Sequence, residues 1–166
     1  MPFIDGGELY RVFKIKRGFT EQVVKFYIAQ IVIALGKLHE KGIMHRDLKL
    51  ENIMLDANGY IKIIDFGLAK ILDNDELAVT QCGTAEYFAP EVLLRQPYDF
   101  SVDWWAIGII TFELIFGSTP FFNQNKPKLL RNIKSKQLTF PNPTARNQYS
   151  REARDFITRL LDKVPS

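Results

Sequence analysis

The 166-residue sequence has a single cysteine, Cys82, so no internal disulfide can form. A lone thiol fits a reducing setting, and the expected location is intracellular: cytoplasm, with the nucleus as the alternative. Long apolar runs are also lacking. The longest, near residues 104–116, is interrupted by Glu113, and it falls short of the roughly 20 residues a bilayer span needs. No basic segment followed by an apolar one opens the chain, so no secretory signal is expected. Charge of one sign is scarce as well, with 22 basic against 19 acidic residues. The basic residues are scattered apart from runs at 14–17 and 126–136. No basic stripe of the kind that binds nucleic acid is evident, and no nucleic-acid partner is expected. Internal repeats and low-complexity tracts are absent. What remains is ordinary globular composition, 46% apolar and 25% charged, in a chain long enough for one domain.

Periodicity predicts a mainly helical fold. Residues 8–16 read as a short helix. Thr20 is a plausible N-cap for a long one, in which Val24, Tyr27, Ile28, Ile31, Leu35 and Leu38 share a face. Gly42 suits its end. Residues 52–56 and 60–64 are short, rich in β-branched side chains and joined by Asp56-Ala57-Asn58-Gly59, which predicts a hairpin. Residues 65–90 look irregular, and a loop of that length is usually functional or disordered. Residues 102–116 are apolar on almost every side, as expected of a helix at the centre of a core. Residues 126–135 and 151–161 predict two amphipathic helices, with Asn142-Pro143 between them.

Chemistry gathers at the two ends of the hairpin. Its entry carries His45-Arg46-Asp47-Leu48-Lys49-Leu50-Glu51-Asn52, and its exit carries Asp65-Phe66-Gly67. A hairpin brings its ends together, so Asp47, Asn52 and Asp65 should converge. Asp and Asn oxygens are hard ligands suited to Mg²⁺. A carboxylate kept off the metal can accept a proton from a hydroxyl. A nearby lysine can neutralise a phosphate in transfer. These are the parts that phosphoryl transfer needs. Taken singly, Asp47 and Asn52 are equally explained as turn formers that cap their own backbone.

Together the residues resemble a known signature. HRDLKLEN followed by DFG is similar to the catalytic loop and metal-binding motif of the eukaryotic protein kinases. Residues 83–91, GTAEYFAPE, resemble the end of that family's activation segment. Residues 103–108, DWWAIG, resemble the start of its central helix. The resemblance covers nearly the whole chain, and it is closest to the AGC group of serine/threonine kinases. It implies a kinase-like C-terminal lobe, a helical bundle around a buried central helix with a small hairpin at the catalytic edge. It implies Asp47 as catalytic base, Lys49 as the γ-phosphate lysine, Thr84 as their partner, and Asn52 and Asp65 as Mg²⁺ ligands. Glu8, Glu51, Asn52, Met54 and Asp65 are the implied nucleotide-binding positions, with ATP and Mg²⁺ as cofactors. Thr80 matches an activation-loop phosphosite served by Arg46 and Lys70, the target of an upstream kinase. Phosphate there would carry about −2 charge and order residues 68–90. Glu8, Glu51, Glu86 and Glu113 resemble positions that read basic residues upstream of the acceptor Ser or Thr. Glu113 stands out, because a carboxylate in an apolar helix is costly unless paired. Either an internal cation or a substrate arginine would serve.

The sequence also departs from the family. It has no G-x-G-x-x-G loop, since Gly6-Gly7 does not make one, and no V-A-I-K-like strand. The expectation is a partial kinase domain over residues 1–166, lacking an N-terminal lobe and the last C-terminal helix. Alone, it should be inactive or very weak. The alternative is a non-catalytic module that docks substrates or kinase partners. In the family Glu91 pairs with an arginine beyond residue 161; buried alone, it would cost about 3–5 kcal/mol. An uncovered surface around Leu9, Met54 and Phe66 would add to instability. His39 is expected as a surface cation, His45 and Cys82 as packed residues, and Phe121 and Phe122 as core.

Overall fold

A computed structural model describes residues 6–16, 18–73, 76–142 and 148–163. The expected helical bundle is present. Helix α1 (Leu9–Lys16) buries Leu9 and Phe13. The chain before it is not helical as expected at Glu8. Residues 6–8 instead run beside strand β2 (Ile53–Leu55), with Gly6 N donating to Leu55 O at 2.9 Å and Leu55 N to Gly7 O at 2.8 Å. A Cβ on Gly6 would lie 2.5 Å from Leu55 O, so only glycine permits this approach.

Helix α2 (Glu21–His39) buries Val24, Ile28, Ile31 and Leu35, with Tyr27 and Leu38 half-buried beside them. Thr20 holds the N-cap position in extended conformation, but its side chain makes no capping bond. The first turn is tied down differently. The Glu21 carboxylate accepts from Ser150 N and Ser150 Oγ, each at 2.6 Å. Gly42 follows the helix at φ 71°, a left-handed conformation that glycine adopts without strain.

Strand β2 pairs antiparallel with β3 (Ile61–Ile63) in the register Ile53 to Ile63. Asp56 Oδ1 accepts from Asn58 N and Tyr60 N, and Gly59 sits at φ 83°, so the predicted turn forms with side-chain support. The stretch predicted to be irregular has more order than its composition suggests. Strand β1 (Ile43–Met44) pairs with β4 (Lys70–Ile71), and Ala78 bridges Tyr98. Helix α3 (Pro90–Leu94) follows, begun by proline and closed by Arg95 at φ 55°.

Helix α4 (Ser101–Phe116) is the centre, with Ile107, Ile109, Ile110 and Leu114 fully enclosed. It packs on α2 and on α6 (Arg151–Leu160). A Cβ on Gly108 would lie 2.7 Å from Leu161 Cδ2, so glycine sets how closely the end of α6 approaches. Helix α5 (Lys126–Ser135) is capped by Asn125 and α6 by Ser150, both through side-chain oxygens. Phe121 is core, whereas Phe122 is 50% exposed, against expectation. Phe121 is the one that stacks on Trp105, with ring centroids 5.9 Å apart, which leaves Phe122 outside. Among the described residues, no helix is long and apolar enough to cross a membrane. Pro143 of the predicted loop, residues 1–5 and residues 164–166 lie outside the described residues.

Candidate active site

The loop from His45 to Asn52 is anchored from beneath by one carboxylate. Asp103, on the first turn of α4 and 1% exposed, accepts from His45 N and Arg46 N at 2.8 Å each. His39 Nε2 lies 2.9 Å from the same group. His39 is therefore not a surface cation: it ends α2 by packing its ring against Phe100 and Trp104 and meeting Asp103. Arg46 sits at φ 67°, a conformation that costs a non-glycine residue about 1–3 kcal/mol and persists only where its surroundings hold it. Here the Asp103 bond and Arg46 Nε donating to Leu68 O at 2.7 Å do so. His45 is packed as expected, wholly buried, with its ring 5.1 Å from that of Phe66.

Above this anchor lies a closed network. Thr84 Oγ1 donates to Asp47 Oδ1 at 2.9 Å, and Lys49 Nζ reaches Asp47 Oδ2 and Thr84 Oγ1, each at 2.9 Å. Asn52 Nδ2 donates to Asp47 O at 2.9 Å and to Asp47 Oδ2 at 3.2 Å. Both oxygens of Asp47 are thus fixed by neighbours, and its side chain is oriented before any ligand arrives. A Cβ on Gly83 would lie 2.7 Å from Arg46 O and 3.4 Å from Asp47 Oδ1, so glycine lets the segment carrying Thr84 approach.

The hairpin brings Asp65 to the same edge. Asn52 O accepts from Ile64 N at 2.9 Å, so Asp65 is the next residue beyond Asn52's partner. It stands at φ 61° with Oδ1 accepting from Gly67 N at 3.1 Å. Because Asn52 uses its amide nitrogen on Asp47, its oxygen is the atom left for a hard cation. Asn52 and Asp65 together suit Mg²⁺, which is commonly held by one or two protein ligands plus phosphate oxygens. Among the described residues no group of three or more His, Cys, Asp or Glu side chains gathers as a metal site.

Comparison with known proteins bears on this arrangement. The family model described as "protein kinase domain" matches residues 1–166. This chain belongs to the protein kinase family. Its kinase relatives are of the AGC type. It is 43% identical over 163 residues to cAMP-dependent protein kinase type 3 of Saccharomyces cerevisiae, covering 98% of this chain and 39% of that protein. It is 43% identical over 165 residues to human serine/threonine-protein kinase Sgk1, covering 98% and 37%. To human RAC-beta serine/threonine-protein kinase it is 43% identical over 166 residues, covering 99% and 34%. The chain thus spans between a third and two fifths of the length of these relatives.

The remaining kinase-like positions divide into those brought together and those held apart. Glu113 is 7% exposed, and its Oε2 accepts from Tyr87 Oη at 2.6 Å. Its partner is therefore neither an internal cation nor open solvent, but a neutral phenol that sequence reasoning missed. Burial raises the Glu113 pKa, and the charges of Glu51 and Glu86 raise it further, while the Tyr87 bond and Lys14 oppose them. Burial and Glu113 in turn push the Tyr87 phenol up. Glu51, Glu86 and Glu113 so form one acidic cluster. Glu8 is half-buried and bridged to Met54. Thr80 is exposed, and its carbonyl accepts from Tyr98 Oη at 2.5 Å. Arg46 and Cys82 both interact with that tyrosine. Lys70 is paired with Glu76 at 2.6 Å, not with Thr80. Glu91 is half-buried, with Ser101 Oγ 3.5 Å away; burial and then Asp99 raise its pKa.

The sign of the Glu113 shift predicts a pH dependence. A carboxyl raised in the fold favours the protonated folded state, so its contribution to stability is present below about pH 4.5 and lost as pH rises through the raised value. Glu113→Gln keeps the bond from Tyr87 and removes the charge. Relative to wild type, the variant's urea midpoint should be higher at pH 7 than at pH 4. An equal difference at both pH values would contradict the cluster's electrostatics.

Proposed function

We propose that this chain supplies the acceptor-binding and base-bearing part of an AGC-type serine/threonine protein kinase, which transfers the γ-phosphoryl group of ATP to a protein hydroxyl. The observation that carries this reading is the Asp47 carboxylate, fixed by Thr84, Lys49 and Asn52 at 2.9–3.2 Å. Asp47 accepts the proton of the acceptor hydroxyl as that oxygen bonds to phosphorus and the bond to the ADP oxygen breaks. Lys49, already within reach of Asp47 and Thr84, neutralises charge on the phosphoryl group in transit. Thr84 keeps Asp47 and Lys49 in mutual register. Asn52 and Asp65 would hold Mg²⁺, with Met54, Glu8 and Glu51 along the nucleotide edge. When bound, the metal screens the phosphate charges and orients them. ATP as phosphoryl source fits an intracellular, cytoplasmic setting.

The acidic cluster supports a preference for basic residues near the acceptor, since a guanidinium between Glu51, Glu86 and Glu113 would relieve the repulsion that raises Glu113. Glu8 would add a fourth carboxylate further along the acceptor chain. Thr80 is proposed as a site for an activating kinase. Its phosphate would draw on Arg46, already at Tyr98, and on Lys70 after it leaves Glu76. These 166 residues contain no glycine-rich phosphate loop, so the polypeptide alone should turn over negligibly, because a base contributes little without bound, oriented ATP.

The test is a peptide array exposed to Mg·ATP and the protein purified from cells that express it. Labelling should fall on Ser and Thr, not Tyr, and should require upstream arginine. Labelling of tyrosine, or of acceptors irrespective of arginine, would contradict the reading.

A further inference from the structure

The 38 residues between Glu113 and Glu152 contain no acidic residue and seven basic ones, leaving 15 basic against 19 acidic in the rest of the chain. Five of the seven fall on or just after α5: Lys126, Lys128, Arg131, Lys134 and Lys136. Leu129 and Ile133 turn inward, while all five cations are exposed. Among the described residues, none of the five enters an ion pair. Beside them stands the exposed Phe122, because Asn132 of α5 donates to Phe121 O at 3.2 Å. Two residues before Phe121, Thr119 Oγ1 lies 3.5 Å from Glu86 of the acidic cluster. Residues 119–121 thus link α5, with its unpaired cations, to the acidic cluster by one contact at each end.

We infer that α5 is a docking face for an acidic protein segment, the Asp/Glu-rich flank of a substrate whose basic residues sit in the cluster of Glu51, Glu86 and Glu113. Opposed charges in adjacent sites fit a chain that is basic near its acceptor and acidic beyond it. They fit an anionic membrane poorly, since a plane approaching α5 would also meet the carboxylates. Phe122 offers the acidic segment an apolar contact at the seam. This rests on the proposed reading of the cluster as the site for substrate arginine.

The test uses the protein purified from cells that express it and three labelled peptides: an arginine-containing acceptor peptide, the same peptide with a Glu-rich extension, and with a Gln-rich one. Binding is followed by fluorescence anisotropy. The Glu extension should tighten binding about tenfold, as three or four exposed pairs each give a factor of roughly 1.5–5. The gain should shrink as salt shortens the Debye length. The gain should vanish in K126Q/K128Q/R131Q/K134Q and survive in the control K25Q/K41Q, whose lysines are exposed and away from the acidic cluster's interactions. Neither variant should change binding of the unextended peptide. Unchanged circular dichroism in both variants excludes misfolding. No gain from the Glu extension, or a gain that persists in the α5 variant, overturns the proposal. Vesicles of phosphatidylcholine and phosphatidylserine that bind through α5 while the Glu extension does nothing overturn it in favour of a lipid surface. If the unextended arginine peptide fails to bind but a Glu-rich peptide alone binds through α5, the docking face stands and the reading of the acidic cluster falls.

Discussion

Replacing Asp103 by alanine should destabilise the protein by about 3–5 kcal/mol, the cost of breaking a buried charged network. The carboxylate is enclosed and takes two backbone N–H groups and one imidazole. Without it, the amides of His45 and Arg46 lose their acceptor in the interior, at about 1–3 kcal/mol each. Arg46 also loses a bond that holds its left-handed conformation. A typical domain has about 5–15 kcal/mol in all, so the variant should lie near its unfolding threshold. Asp103→Asn should lose less, because an amide oxygen can still accept. The measurement is the urea midpoint at constant slope. A loss under about 1 kcal/mol would show that the catalytic loop does not depend on this anchor.

The second large effect is kinetic. Asp47→Asn should lower kcat about 10²- to 10⁴-fold, the usual worth of a positioned general base, with little change in acceptor KM. The substitution is nearly isosteric. Its amide can still accept from Thr84 or Lys49 through its oxygen, so the network is weakened but not emptied. It cannot take the acceptor's proton. Thr84→Ala should cost less than Asp47→Asn, since it removes orientation and leaves the base. Steady-state kinetics on the protein purified from expressing cells would decide. Equal kcat in wild type and Asp47→Asn would remove Asp47 from the reaction.

Much of this was legible in the sequence, for identifiable reasons. The hairpin declared itself through Asp56-Ala57-Asn58-Gly59, and its closure places Asn52 against Ile64. The apolar run at 102–116 could only be a central helix. Other features depend on contacts between residues far apart in the chain. Asp103 and His39 are 64 residues apart, and neither spacing nor composition links them. His39 therefore looked like a helix-end surface residue. Tyr87 lies within GTAEYFAPE, but nothing local indicates that its phenol meets Glu113. Strands β1 and β4 are two residues each, too short for any periodicity to register. Thr20 showed the right residue type for a cap, yet the end of α2 is secured by Ser150 on Glu21, 129 residues away.

The central claim is a division of labour: Asp47 stays off the metal as base while Asn52 and Asp65 bind it. The most direct measurement is an anomalous difference map from crystals grown with ADP and Mn²⁺ in place of Mg²⁺. The account predicts a single strong peak within bonding distance of the Asn52 amide oxygen and an Asp65 carboxylate oxygen, with Asp47 still bonded to Thr84. A manganese ion ligated by Asp47, or one away from Asn52 and Asp65, would contradict it.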